Sequence, residues 1–187
     1  MTGFAFTGSF CTMGAALGAM ERLCSEGIEI LPIMSENAFS RDTRFHKASD
    51  FVTRVEDITK KRVIHTIEDA EPLGPRMPLD ALIVAPCTGN TLAKVAQGIT
   101  DTAVTMAIKA HLRQDRPLII ALASNDAMSQ NLANIARLLL RKSVYFVPMR
   151  EDDPEGKPHS LVADISRIGE TYRAALSGKQ LRPLFYN

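Results

Sequence analysis

Residues Pro78 to Met106 read P-L-D-A-L-I-V-A-P-C-T-G-N-T-L-A-K-V-A-Q-G-I-T-D-T-A-V-T-M. The stretch opens with an apolar run, Ala81 to Ala85, bounded by turn residues. That is the pattern of a strand buried on both faces of a parallel sheet. Pro86 is expected to end it, because proline has no N–H to give the ladder. Cys87, Thr88, Gly89, Asn90 and Thr91 then form a small, mostly polar set, and Leu92, Ala93, Val95 and Ala96 follow at helical spacing. The unit is a strand, a hydroxyl-rich loop and a helix start. A helix start carries unpaired N–H groups and about half a positive charge from its dipole. Hydroxyls and backbone donors there suit a phosphate. The same residues also suit a plainer purpose, with Thr91 capping the helix and Gly89 making the turn. The loop alone does not choose between the two.

Working outward, the pattern recurs. Gly3 to Thr7 is a short apolar strand that ends in Gly8-Ser9-Phe10-Cys11-Thr12. Thr12 is a good N-cap, and Met13, Leu17, Met20, Leu23 and Cys24 recur at helical spacing up to Gly27, a natural helix stop. Ile28 to Met34 is a second apolar strand, ending in Ser35-Glu36. Leu118 to Ala123 is another, ending in Ser124-Asn125-Asp126. Ligands of open α/β sheets sit beyond the carboxyl ends of the strands. These small polar strand ends therefore predict one shared crevice. The Gly8-Ser9 turn lacks the Gly-Lys-Ser/Thr of a Walker loop, and the chain has no GxGxxG fingerprint.

The remaining segments are read as follows. Ser35 to Asp42 is a polar loop. Phe45 to Ile58 is a helix with Phe45, Ala48, Val52 and Val55 inside. Val63 to Ile67 is a short strand carrying His65, and the proline-rich segment from Glu68 to Pro78 is a rigid loop. Leu92–Gln97 and Ala103–Leu112 are helices. Ser129 begins a helix through Arg141 with Leu132, Ile135, Ala136, Leu139 and Leu140 as its core stripe. Val144 to Val147 is the last strand. Residues 149–160 form a polar loop, either simply solvated or a mobile active-site flap. Residues 161–187 hold a C-terminal helix, Ala163 to Leu176, and a tail. The β/α alternation predicts a single α/β domain spanning 1–187, with a doubly wound, mostly parallel sheet.

Composition excludes several classes. The chain has 187 residues and a net charge of +1, so its overall balance favours neither nucleic acid nor an anionic membrane. No apolar run approaches the ~18 residues of a membrane span, and no basic segment precedes an apolar stretch at the start. A cytoplasmic location is expected. Cys11, Cys24 and Cys87 form no CxxC pair. They read as buried small thiols in a reducing compartment, and no metal site is expected.

The run P-C-T-G-N-T-L-A-K-V-A-Q-G-I-T-D resembles the signature loop of the FMN-binding flavoprotein family. That family includes phosphopantothenoylcysteine decarboxylases, peptidyl-cysteine decarboxylases and flavin prenyltransferases. T-G-S after the first strand and S-E-N after the second reinforce the likeness. A Rossmann-like, flavodoxin-like fold is implied. Further matches lie at T-R-F (Thr43 to Phe45), A-E-P-L-G-P (Ala70 to Pro75), S-N-D-A (Ser124 to Ala127), D-D-P (Asp152 to Pro154) and K-P-H-S-L-V-A. Together these resemble the branch in which the flavoprotein is one of the two chains of an oxidoreductase of sporulating bacteria.

The resemblance implies FMN as cofactor. Gly8 and Ser9 would lie against flavin or its ribityl phosphate, and Ser35 would hydrogen-bond the ribityl or phosphate portion. Thr88 and Thr91 would give hydroxyls to the phosphate, with Gly89 and Asn90 admitting the backbone. Ser124 and Asn125 would sit at the edge of the ring or the substrate. It also implies a separate A subunit carrying the NAD(P) site, a small dicarboxylate substrate, and a homo-oligomer that is a trimer or built from trimers. Arg44, Arg76, Lys157 and His159 are the cations considered for the substrate, and His65 and Asp126 for moving the proton. Two departures separate the chain from the decarboxylases. Their Pro-Ala-Met-Asn motif is here Ala121-Leu122-Ala123-Ser124-Asn125, and no cysteine follows Cys87. The prenyltransferases carry a lysine where this chain has Gly89-Asn90. Two alternatives stay open beside the oxidoreductase subunit. One is a non-catalytic scaffold that keeps the fold and organises its partner. The other is a decarboxylase of a cysteinyl substrate.

Overall fold

The computed structural model describes residues 1–186; Asn187, the end of the tail, lies outside the described residues. In chain order the elements are β1 (Thr2–Phe6), α1 (Phe10–Ser25), β2 (Ile30–Met34), α2 (Glu36–Ser40), α3 (Ala48–Thr59) and α4 (Ile67–Ala70). Then come β3 (Leu82–Thr88), α5 (Gly89–Gln97), α6 (Ala103–Leu112), β4 (Leu118–Ser124), α7 (Leu132–Leu139) and β5 (Val144–Phe146). β6 (Met149–Glu151), β7 (Leu161–Ala163), a 3-10 turn (Ile165–Arg167) and α8 (Ile168–Leu176) complete them.

One seven-stranded sheet runs β2-β1-β3-β4-β7-β6, with β5 also on β4. The first five strands are parallel, in the order 2-1-3-4-5. That is the flavodoxin-like member of the doubly wound folds. The free edge of β4 is divided. Its first half pairs with β5 in parallel, and its end, Ala123 and Ser124, pairs with β7 antiparallel.

Alternate residues of each central strand feed two cores. Leu82 and Val84 of β3, with Leu118, Ile120 and Leu122 of β4, join Leu92, Val104 and Ile108 on one face. Ile83, Ala85, Ile119 and Ala121 join Phe4, Phe6, Met13, Met20, Phe51, Ile168 and Tyr172 on the other. Both faces are covered by helices, which is why these strands are apolar throughout rather than alternating. Each fully buried phenylalanine there contributes about 2 kcal/mol of transfer free energy.

Several local expectations change. β3 does not stop at Pro86 but continues to Thr88, and its register on β4 shifts between Val84 and Cys87. The shift absorbs the missing N–H. Thr7 Oγ1 donates to the Pro86 carbonyl at 2.7 Å and accepts from Thr88 N at 3.0 Å, so β1 and β3 are tied just beyond the proline. Thr88, not Thr91, caps α5. Residues 35–42 are not all loop, because Ser35 caps the short α2. Helix α3 starts at Ala48 rather than Phe45: Thr43 Oγ1 accepts from Phe45 N and His46 N, Asp42 Oδ1 accepts from Ala48 N, and Phe45 is left exposed.

The strand expected at Val63–Ile67 reduces to one bridge, Ile64 on Ile33, because Thr66 caps α4 and turns the chain. In α7 only Ile135 and Leu138 are buried. Leu132 and Leu140 are 50% and 88% exposed, so the expected stripe is displaced. Val144 does not begin the last strand. Met149–Glu151 and Leu161–Ala163 form an antiparallel pair, and the tail returns to bond Met149 N to the Leu184 carbonyl. The C-terminal helix accordingly starts at Ile168, after Asp164 caps the 3-10 turn.

His111, at the end of α6, is wholly buried. Its Nε2 lies 2.9 Å from the Pro117 carbonyl, which can only accept, so Nε2 carries the proton. Nδ1 is buried with no partner among the described residues. Burial, opposed by the Pro117 bond and helped by the Arg116 charge, holds the imidazole below its ordinary value of 6.5. A base depressed on folding binds protons better when unfolded, so its stability contribution is complete above about pH 6.5 and is lost as pH falls below it. Urea unfolding at pH 7 and pH 5.5 should show lower stability at pH 5.5, and His111→Gln should flatten that difference.

Candidate functional site

Four helices begin at the carboxyl edge of the sheet or just beyond it, and the N-cap residues of all four line two adjoining crevices there. They are Ser9 for α1, Ser35 for α2, Thr88 for α5 and Thr102 for α6. Gly8, Thr88 and Asn90 are common to both crevices. The first has a volume of about 430 Å³ and is bounded by Ser9, Cys11, Gly89, Ser124, Asp126 and Lys157 among others. The second, of about 380 Å³, is bounded by Ser35, Asn37, Thr91, Lys94, Asp101 and Thr102 among others. Both fall in the size range of small-molecule sites, which is roughly 300–1,000 Å³.

The caps differ in what they leave free. Ser35 Oγ accepts from Ala38 N, Thr88 Oγ1 from Thr91 N, and Thr102 Oγ1 from Thr105 N. Ser9 makes no such bond; its Oγ lies 2.7 Å from Thr12 Oγ1. The sixteen-residue α1 therefore presents its first turn to the crevice without a side-chain acceptor. An anion placed there meets both the dipole and those N–H groups.

The wall opposite Gly89 is a directed hydrogen-bond chain. Ser124 Oγ donates to Asp126 Oδ1, and Asn131 Nδ2 donates to the same oxygen at 3.0 Å. Asn134 Nδ2 in turn donates to Asn131 Oδ1 at 2.9 Å. The Ser124 bond, with help from Asn131 and against some burial, holds the Asp126 carboxyl below its usual range. Asp126 is a fixed anion and a poor proton acceptor at neutral pH. Ser124 spends its one proton on it, so toward the crevice Ser124 offers only lone pairs. A Cβ on Gly89 would overlap Ser124 Oγ and come within 2.7 Å of Asn131 Nδ2 and 2.8 Å of Asp126 Oδ1. Glycine here is a matter of space.

The structure brings together Gly8, Ser9, Ser35, Thr88, Gly89, Asn90, Thr91, Ser124 and Asn125, along with Asp126 and Lys157. Lys157 Nζ pairs with Asp152 Oδ2 at 2.6 Å, and that partner raises its already high pKa. Four expected residues are elsewhere. His65 stacks on Phe39 at 3.7 Å between ring centres and lines neither crevice. Arg44 lies over the ring of its neighbour Phe45. Arg76 is exposed in the turn before β3, which packs on the end of α6 by the amino edge of the sheet. His159 is exposed, and its carbonyl accepts from Met128 N at 3.0 Å. The segment from Asp152 to His159 is solvent-exposed, and Ser160 is fully buried at its end.

Sequence reasoning missed Cys11, Lys94, Asp101, Thr102 and Asp152 as crevice residues. Cys11 is exposed rather than buried, whereas Cys87 is enclosed and burial pushes its thiol up to about 12. The spacing of Asn90, Thr91 and Lys94, one helical face, was the available signal for Lys94.

Among the described residues no helix is long and apolar enough to cross a membrane. A parallel sheet of this order, with polar strand ends meeting at helix amino termini, defines the flavodoxin-like class of doubly wound α/β proteins, whose ligand crevice lies at that edge. The chain belongs to the Flavoprotein family, whose model matches residues 2–170. It is similar to the B subunit of dipicolinate synthase from Bacillus subtilis strain 168, with 41% identity over 182 residues, 97% of this chain and 91% of that protein. The crystal structure of the corresponding dipicolinate synthase chain from Bacillus halodurans C superimposes with a TM-score of 0.92 at 39% identity, covering 100% of this chain and 95% of that one. An FMN-dependent cysteine decarboxylase, SpaF, shares the fold with a TM-score of 0.69 at 21% identity, covering 95% of each chain.

The spacing around Gly89 has a direct consequence. Gly89→Ala should lower stability by about 1–3 kcal/mol, the usual cost of overpacking, because Ser124, Asp126 and Asn131 must give way together. Gly8→Ala meets nothing closer than 3.6 Å and should leave the urea midpoint almost unchanged.

Proposed function

We propose that this chain is the flavin-binding B subunit of a dipicolinate synthase. In this reading it holds FMN in the paired crevice. It works with the nicotinamide-binding dipicolinate synthase A subunit to oxidise a dihydro or hydroxytetrahydro precursor to dipicolinate during sporulation, in the mother-cell cytoplasm. The observation that carries the reading is the meeting of four helix amino ends and four polar strand ends around one double crevice. The 41% identity to a protein of that name supplies the substrate class. A homo-oligomer, trimeric or built from trimers, belongs to the same reading.

The residues present fit FMN. A phosphate monoester carries about −1.5 to −2 charges at neutral pH. The open first turn of α1 with Gly8 and Ser9, and the amino ends of α2 and α5 with Ser35, Asn90 and Thr91, offer N–H and hydroxyl donors for it. Gly89 lets the start of α5 lie directly against Ser124, Asp126 and Asn131, which sets that wall of the crevice. When bound, the flavin supplies a two-electron hydride acceptor for a substrate ring that becomes aromatic. Ser124 and Asn125 border that ring or the substrate. Asp126 positions Ser124 as an acceptor and carries no proton itself. Lys157 is the crevice cation for a substrate carboxylate, released from Asp152 when the substrate arrives. His65, stacked on Phe39, borders neither crevice of the single chain, and no proton transfer is assigned to it.

The test is an absorption spectrum of the purified chain after incubation with FMN and removal of the excess. Flavin bands near one equivalent are expected, and bleaching of those bands on adding the A subunit with precursor under anaerobic conditions. Asn90→Ala should reduce flavin retention and dipicolinate formation by ~10-fold or more. A chain that retains no flavin, alone or with the A subunit, would overturn the reading.

A further inference from the structure

The second crevice has a charge problem that its own residues can solve. Among the described residues bordering it, Glu36 and Asp101 are carboxylates and Lys94 is the one cation. Lys94 Nζ is bound to both oxygens of Asp101, at 2.9 and 2.8 Å. As it stands, a dianion entering between Ser35, Thr88 and Thr91 would meet more negative than positive side-chain charge.

The two partners are not equally placed. The Lys94 side chain is 23% exposed and that of Asp101 55% exposed. Lys94 rises from the same face of α5 as Asn90 and Thr91, at i+4 and i+3. Asp101 stands on the link between α5 and α6, turned toward water. The carboxylate can therefore rotate into solvent while the ammonium stays in the crevice. An exposed ion pair is worth only about 0–1 kcal/mol. A phosphate monoester carries about −1.5 to −2 charges against the carboxylate's single one, and among helix amino ends it adds donors that Asp101 does not have. The exchange therefore favours the phosphate.

We infer that Lys94 is the phosphate-recognising cation of this crevice, parked on Asp101 until the phosphate of FMN displaces that carboxylate. The inference rests on the FMN reading above and names a residue that reading does not need. Asp101 is then a placeholder. Lys94 Nζ gives its donors to the phosphate oxygens, and the Thr91 hydroxyl, which accepts from Thr88 Oγ1 at 3.0 Å, closes the other side. The competing account is a staple, in which the same pair only fastens the α5–α6 link.

Flavin fluorescence quenching on titration with the full chain separates these accounts, using FMN and riboflavin, which lacks the phosphate. The wild-type chain should bind FMN more tightly than riboflavin. Lys94→Met should weaken FMN by ~10-fold or more and leave riboflavin within about twofold. Asp101→Asn frees the ammonium and should bind FMN as tightly as wild type or better. Equal losses for both flavins in both variants would mean a staple and overturn the inference. So would an unchanged FMN affinity in Lys94→Met, or equal wild-type affinity for the two flavins. A wild-type chain that binds neither flavin would instead sink the FMN reading itself, and this inference with it.

Discussion

The hydroxyl of Thr7 is the small joint on which the site depends. Pro86 deprives β3 of a ladder donor two residues before its end, and the register on β4 slips there. Left alone, that gap would loosen the carboxyl edge where the chain most needs to be fixed. Thr7 Oγ1 closes it by donating to the Pro86 carbonyl and accepting from Thr88 N. The strand can then run on to Thr88, whose own hydroxyl accepts from Thr91 N and starts α5 with no intervening loop. The last residue of the strand and the cap of the helix are one residue. That economy puts Gly89 directly against Ser124, Asp126 and Asn131 and brings β1, β3 and β4 to a common edge.

Much of this was legible because the central strands are apolar on both faces and end in small polar residues. Ala81 to Ala85 and Leu118 to Ala123, short apolar runs bounded by turn residues, read as interior strands of a covered sheet. Glycine, serine, threonine and asparagine at their ends located the crevice. What stayed hidden depends on long-range partners. Pro86 read as a stop because the compensating hydroxyl is 79 residues away. Val63 to Ile67 had strand composition, but Thr66 finds a better use as the cap of α4. Leu132 and Leu140 looked like core, yet the turns from Asp126 to Asn131 rotate α7 so that Ile135 and Leu138 face the sheet. The β6–β7 pair was invisible because three-residue strands carry almost no periodicity.

The cations were the least legible part. A positive charge in a sequence says nothing of where its tip lies. Arg76 and His159 sat in suggestive motifs, yet one is beside the amino edge of the sheet and the other exposes its ring while lending its carbonyl to Met128. Lys94 and Lys157 differ from them in having a carboxylate partner at the crevice, Asp101 and Asp152 respectively. Both pairs are partly exposed, so neither contributes much to stability. Their common property is a cation held near the site at little cost and free to change partners.

Asp126 shows the opposite use of charge. It accepts from Ser124 and Asn131 through one oxygen, and those bonds hold it ionised. A carboxylate so stabilised gains nothing by taking a proton, and a proton carrier must have a pKa near the working pH. Its effect is exerted through Ser124, whose hydrogen it fixes and whose lone pairs it thereby aims into the crevice. The crevice thus has donor-rich ground at the helix amino ends and an acceptor at Ser124. A ligand that satisfies both presents acceptors at one end and an N–H or O–H at the other. That pattern is narrower than the fold, which decarboxylases share. In this chain the acceptor that sets the pattern comes from a few side chains at the end of β4, Ser124 held by Asp126 and Asn131, rather than from the sheet that carries them.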